Sequence, residues 1–126
     1  MKDSKQTFGV IIATRNIFNF KLAVEARKKV LAKLEKMGFG YLILHESETP
    51  TGNIEGYDDA VKCAAFFKKN SEIIDGILVV LPNFGDELGV VNSIKLSGLQ
   101  VPVLVQACDD DNDKVDVKSR RDAFCG

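Results

Sequence analysis

The sequence predicts an α/β protein with three layers, built around a doubly wound parallel sheet. Four short apolar runs each end at a polar or Gly/Pro cluster, which is typical of buried strands. The stretches between them have the apolar spacing of amphipathic helices. The length of 126 residues suits one domain with a substantial core.

The four predicted strands are almost wholly apolar, as strands covered on both faces of a sheet usually are. They lie in the apolar runs Phe8–Ala13, Tyr41–Leu44, Gly76–Leu81 and Val101–Val105, and in the last run Pro102 opens the strand, which is Val103–Val105. We expect Phe8–Ala13 and Gly76–Leu81 to be central strands.

Three helices are predicted between these strands from their start and stop signals. The first follows the N-cap Asn19 and ends before Gly38, a residue that accepts positive φ. The second has Asp58 and Asp59 in its first turn, where the helix dipole favours negative charge. Gly98 closes the third. Right-handed crossovers then give a flavodoxin-like sheet in the order 2-1-3-4, with one edge open to a further strand or another chain.

Composition argues against several kinds of partner and location. The 17 basic and 18 acidic side chains leave a net charge of −1, so nothing favours nucleic acid. No apolar run approaches the ~18 residues of a membrane span, and the polar start of the chain lacks a secretory signal. Cys63, Cys108 and Cys125 form no CxxC pair, which favours a reducing compartment. We therefore expect a cytoplasmic protein without membrane or nucleic-acid partners, and Cys63 in the core.

The acidic run Asp109–Asp113 does not fit a calcium loop. An EF-hand loop beginning at Asp109 needs Gly at its sixth position and Glu at its twelfth, where this chain has Lys114 and Arg120. With one histidine in the chain, a His-rich metal site is also excluded. We expect no metal site within these residues.

The usual activities of doubly wound folds also lack their motifs. The turn Thr14–Phe18 has one hydroxyl and no glycine, so it cannot hold a flavin phosphate as a Ser/Thr/Gly-rich loop does. It contains no G-x-G-x-x-G fingerprint, and the chain has no G-x-S-x-G elbow. A phosphoacceptor receiver would need an Asp at the end of the third strand, where Pro82-Asn83 stands.

Polar and aromatic side chains follow the strands, at the edge where open α/β sheets bind ligands. Amide and guanidinium groups, a carboxylate and an aromatic ring together suit a sugar. The candidate substrate-binding residues are Arg15, Asn16, Asn83, Phe84, Asp86 and Gln106. Structural roles remain open beside this one: Asn83 as a turn residue, Asp86 as a helix cap, and Arg15 paired with Glu46. The polar connection 46–56 is longer than most βα connections, and such loops are often functional.

Four segments, taken in order, resemble the amino-terminal domain of the L-fucose/L-arabinose isomerase family. They are the opening strand and arginine of Gly9–Arg15, the proline–aromatic–Gly–acid segment Pro82–Glu87, the strand Pro102–Gln106, and the terminal stretch Arg120–Gly126. The likeness covers essentially the whole chain, and the terminal stretch resembles the one that leads into the second domain of fucose-isomerase-like proteins.

This resemblance implies a division of labour. In that family a divalent metal, typically manganese, and the proton-transferring carboxylates belong to later domains, so the chain is expected to be an inactive fragment without cofactor of its own. Residues 1–114 would form the domain, and 115–126 would begin the connection to the following domains of the same polypeptide. The resemblance also implies a homo-oligomer in which this domain covers a neighbouring subunit's active site, with Arg15 and Phe84 touching the sugar.

The leading hypothesis is therefore a domain of an aldose–ketose isomerase of carbohydrate metabolism. One rival is a stand-alone module that binds a small sugar or similar metabolite and has a regulatory role. Another is a purely structural oligomerisation domain.

Overall fold

The fold contains every helix and strand that the sequence predicts. The computed structural model describes residues 5–15, 17–114 and 116–125. The elements in chain order are β1 (Thr7–Ile12), α1 (Phe20–Lys36), β2 (Gly40–Ile43), α2 (Gly56–Lys69), β3 (Gly76–Leu81), α3 (Glu87–Ser97) and β4 (Val103–Ala107). Single turns of 3-10 helix occur at Glu46–Glu48 and Ala123–Cys125.

The strands form one sheet of four, all parallel, in the order β2-β1-β3-β4. This is the predicted order, and it makes β1 and β3 the central strands. Val10 lies opposite Ile43 on one side and Leu78 on the other. Because all strands point the same way, their carboxyl ends share one edge of the sheet, called here the carboxyl edge. The site residues lie along it.

Apolar residues pack on both faces of the sheet. The face covered by α1 (the α1 face) buries Val10, Ile12, Ala23, Ala26, Leu34 and Val80. The face covered by α2 and α3 (the α2/α3 face) buries Ile11, Ile54, Cys63, Phe67, Ile74, Ile77 and Val79. A Cβ on Gly9 would lie 3.0 Å from Cζ of Phe67, so the glycine makes room for that ring. The prediction that Cys63 belongs to the core is confirmed.

The predicted helix ends are confirmed in detail. The Asn19 side chain accepts a hydrogen bond from the N–H of Lys21 and begins α1. Gly38 (φ 83°) and Gly98 (φ 71°) lie just beyond α1 and α3 in the left-handed conformation that glycine adopts without strain. Among the described residues, no helix has the length and apolarity needed to cross a membrane.

The last strand begins at Val103, as predicted after Pro102, and ends two residues later than predicted. Two hydrogen bonds bracket its pairing with β3, from the N–H of Ile77 to the carbonyl of Pro102 and from the N–H of Cys108 to the carbonyl of Leu81. Gln106 therefore lies inside β4, opposite Val80, and not in the turn beyond the strand. The cause is pairing with β3, which extends the strand past its apolar run.

This last strand is also poorly covered on both faces. Val103, Leu104 and Val105 are 44%, 66% and 56% exposed. On the α1 face, two apolar grooves of about 540 and 500 Å³ run beside α1 and share Leu34, Met37 and Leu78. Natural edge strands usually carry charges or are covered, so this surface has the composition of an interface.

Candidate functional site

The first strand ends in a tight turn that projects an arginine from the carboxyl edge. Thr14 is fully buried, and its N–H donates to the carbonyl of Ile54 at 3.0 Å. The N–H of Phe18 then donates to the carbonyl of Arg15 at 2.9 Å, which closes the turn. The side chain of Arg15 is 30% exposed, so it is anchored by the turn yet accessible.

A buried asparagine joins this turn to the end of β3. The Nδ2 group of Asn83 donates to Oγ1 of Thr14 at 2.9 Å and approaches the carbonyl of Asn19 at 3.5 Å. Asn83 is 0% exposed, and its Oδ1 has no hydrogen-bond partner among the described residues. It therefore joins the two turns, and its full burial keeps it from the surface that a ligand could reach.

Asp86 links the beginnings of two helices. Its side chain is the N-cap of α3 and accepts the N–H of Leu88 at 3.2 Å through Oδ1. Its Oδ2 accepts the N–H of Gly56, the first residue of α2, at 2.6 Å. A Cβ on Gly89 would lie 3.3 Å from the Gly56 nitrogen, so small residues let the two helices approach closely. The capping role is thus confirmed, and it occupies both carboxylate oxygens.

An aromatic and charged group forms around Arg15. The guanidinium bonds Oε2 of Glu87 at 2.9 Å, lies 3.7 Å from Oδ1 of Asp86, and sits 4.7 Å from the centroid of the Phe84 ring. The Phe84 ring stacks on Phe18 with centroids 5.6 Å apart and planes 6° from parallel. These five residues are called the Arg15 cluster. It offers guanidinium donors beside an apolar surface, which is a combination that binds polyols.

The long connection between β2 and α2 is held in a fixed conformation. The Arg27 guanidinium donates to the carbonyls of Leu44 at 2.8 Å and Gly52 at 2.9 Å, which ties two points of the connection to α1. Burial lowers the pKa of Arg27, and the nearby carboxylate of Glu46 opposes that effect. The connection is therefore anchored to α1 through Arg27.

The end of this connection extends the sheet at the carboxyl edge. The N–H of Ile54 donates to the carbonyl of Ile12 at 2.8 Å, so the chain pairs with the end of β1 beyond the last residue of β2. Asp59 then accepts the N–H of Glu55 at 2.9 Å. Burial raises the pKa of Asp59, although this hydrogen bond acts in the opposite direction. Asp59 thus has a structural role at the start of α2.

The remaining predicted residues lie away from the Arg15 cluster or outside the described chain. Gln106 points to the α1 face and donates to the carbonyl of Ala107 at 3.0 Å. It lines the groove there together with Arg121, which donates to the carbonyl of Pro82 at 3.0 Å. Asn16 lies outside the described residues. The prediction of Gln106 as part of a shared rim pocket thus finds no supporting contact in the described part of the chain.

The structure therefore brings together three of the predicted residues, Arg15, Phe84 and Asp86. The alternative pairing of Arg15 with Glu46 is wrong, because Glu87 is the partner. Sequence reasoning missed Glu87 and Phe18 as members of the cluster. Each had a local signal, since Glu87 follows Asp86 directly and Phe18 closes the short turn after Arg15.

Comparison with known protein families shows which family the chain belongs to. The sequence matches the family model described as fucose/sulfoquinovose isomerase, N-terminal domain, over residues 9–126. The chain belongs to this family. The match includes most of β1 and every later element, and it confirms the resemblance seen in the sequence. No significant match was found to a curated protein or to a solved structure.

The described carboxylates at the carboxyl edge of this isomerase domain are engaged in contacts within the domain. Among the described residues, no group of three or more His, Cys, Asp or Glu side chains could hold a metal ion. At the carboxyl edge, both oxygens of Asp86 accept backbone N–H groups, and Glu87 binds Arg15. The Arg15 cluster can bind and orient a ligand, but it has no carboxylate arranged as a metal ligand.

Proposed function

We propose that this domain covers and orients the sugar in a metal-dependent aldose–ketose isomerase, and that it contributes to assembly of that enzyme. The family match over residues 9–126 is the observation that carries the proposal. The Arg15 cluster supports it, because the cluster lies at the edge where doubly wound sheets bind ligands.

The reaction moves a proton between C1 and C2 of the sugar, and this domain contributes binding to it. Arg15 donates hydrogen bonds to sugar hydroxyl groups, while Phe84 and Phe18 cover an apolar part of the sugar and exclude water. Such positioning can account for large rate effects without an acid or base in this domain. Neither Asp86 nor Glu87 is given a proton-transfer role, because both are engaged in the contacts described above.

The role of Arg15 is tested by steady-state kinetics of the full-length isomerase that carries this domain. Arg15→Ala should lower kcat/KM for its sugar by about tenfold to a hundredfold, the usual effect of losing a hydrogen bond to a charged group. The matched control is Arg120→Ala, since Arg120 is 45% exposed and pairs with Asp122 in the terminal segment. If Arg15→Ala leaves kcat/KM unchanged, this domain has only a structural role.

The division of labour has its own test. In our proposal the metal and the proton-transferring carboxylates are supplied by other parts of the enzyme, so the purified 126-residue chain should turn over no aldose. Turnover by the chain, free of contaminating isomerase, would refute this. Micromolar sugar binding by the chain alone in calorimetry would favour the stand-alone binding module.

The assembly role is supported by the apolar surface of β4. Val103, Leu104 and Val105 are exposed, Leu104 lines a groove on the α1 face, and the outer edge of the strand has no partner within the described residues. Leu104→Asp should lower the oligomer mass of the full-length isomerase in light scattering, with the exposed Val61→Asp on α2 as control. An unchanged mass in Leu104→Asp would place the interface elsewhere.

A further inference from the structure

We propose that Glu87 makes the Arg15 cluster selective for sugars whose C6 substituent is uncharged and apolar, against sugars with an anionic group at C6. This inference rests on the proposed function, in which the cluster contacts the sugar, and it assigns the C6 end of the sugar to the cluster. The family description includes one sugar of each kind. Fucose has a methyl group at C6, whereas sulfoquinovose has a sulfonate there.

The charges of the cluster disfavour an anionic ligand. Arg15 is its single cation, and it faces two carboxylates, Glu87 at 2.9 Å and Asp86 at 3.7 Å. One positive and two negative charges leave a formal charge of −1. The carboxylate of Glu87 is 67% exposed, so it meets any ligand that approaches the guanidinium. An anionic substituent would be repelled there, while a hydroxyl can donate to Glu87 and accept from Arg15.

The apolar residues of the cluster favour an apolar substituent. Phe84 and Phe18 form a stacked pair directly beside Arg15. Ile17, in the same turn, is 77% exposed. This surface can bury a methyl group, but it offers a sulfonate no hydrogen-bond donors.

A second cation lies near the carboxyl edge but outside the Arg15 cluster. Arg121 lies on the α1 face, where it lines the groove with Gln106 and donates to the carbonyl of Pro82. It is thus separate from the contacts around Arg15. Arg121→Gln nevertheless provides a direct check on which cation a sulfonate would use.

The test compares the activity of the enzyme on two sugars before and after the charge of Glu87 is removed. The full-length isomerase is assayed for kcat/KM on fucose and on sulfoquinovose, as wild type and as Glu87→Gln. Glutamine keeps an oxygen that can accept from Arg15 but removes the charge. We expect the wild type to prefer fucose, and Glu87→Gln to shift the ratio of the two kcat/KM values toward sulfoquinovose by about fivefold, as expected for one partly screened surface charge. Glu72→Gln, an exposed position beyond the far end of α2, should leave the ratio unchanged.

The outcomes separate this inference from the function on which it rests. A wild type that converts fucose while Glu87→Gln leaves the ratio unchanged would overturn the selectivity role and leave the isomerase proposal intact. A wild-type preference for sulfoquinovose that is lost in Arg121→Gln would assign recognition of C6 to the groove on the α1 face. Failure of the wild type to convert or bind either sugar would overturn both proposals. Thermal melting of each variant shows whether a loss of activity reflects unfolding.

Discussion

Replacing Asp86 with alanine should destabilise the domain, because its carboxylate joins the beginnings of two helices. The substitution removes the N-cap of α3, which is worth about 1 kcal/mol. It also removes the hydrogen bond from the N–H of Gly56 to a charged oxygen, worth about 1.5–3 kcal/mol. The contact with Arg15 at 3.7 Å adds little, since it is partly exposed and screened. The sum is a loss of roughly 2.5–4 kcal/mol in the free energy of unfolding.

Urea denaturation followed by circular dichroism measures this loss directly. Asp86→Asn keeps one acceptor oxygen and should lose about half as much free energy of unfolding. Asp58→Ala is the matched control, because it removes an exposed carboxylate from the first turn of α2. A loss below about 0.5 kcal/mol in Asp86→Ala, which is the range of an ordinary surface substitution, would show that the link between the two helices does not stabilise the fold.

Three further predictions concern the supports of the site and the core. Arg27→Met loses the bonds to the carbonyls at two points of the β2–α2 connection, so amide hydrogen exchange over residues 45–52 should accelerate, whereas the exposed neighbour Lys28→Met should leave it unchanged. Phe67→Ala should lower the free energy of unfolding by about 3–5 kcal/mol in urea melts, because the ring is fully buried; a loss below about 1 kcal/mol would contradict its place in the core. Burial raises the pKa of the Cys63 thiol from 9.0 to about 12. Its neutral form is thus favoured by folding, and stability should fall as pH rises from about 9 to 12, by up to about 1.4 kcal/mol per pH unit. A Cys63→Ala variant that shows the same decline with pH would refute this origin.

Short sequence patterns were sufficient to predict the helices and strands of this fold. Asn19, Gly38 and Gly98 act at the helix ends where their preferences place them, because capping and positive φ depend on residues a few positions apart. The apolar runs predicted the strands, and short crossovers left the order 2-1-3-4 as the simplest solution.

Short sequence patterns were not sufficient to predict which residues form the Arg15 cluster. Gln106 follows the apolar run in sequence, yet pairing with β3 draws it into β4 and turns it to the α1 face. The sequence suggested Glu46 as a partner for Arg15, whereas the structure pairs Arg15 with Glu87. The choice of Glu87 depends on how α3 leaves the sheet, and the sequence near Arg15 does not contain that information.

The amino-acid sequence by itself determined the layered architecture, the helix boundaries and the family of this domain, since periodicity, caps and motifs are properties of neighbouring residues. Tertiary structure alone decided which side chains surround Arg15, that Asp86 joins two helices, and that β4 exposes its apolar residues. The physical reason is that these contacts join residues far apart in the chain, so they depend on strand register and on helix packing against the sheet.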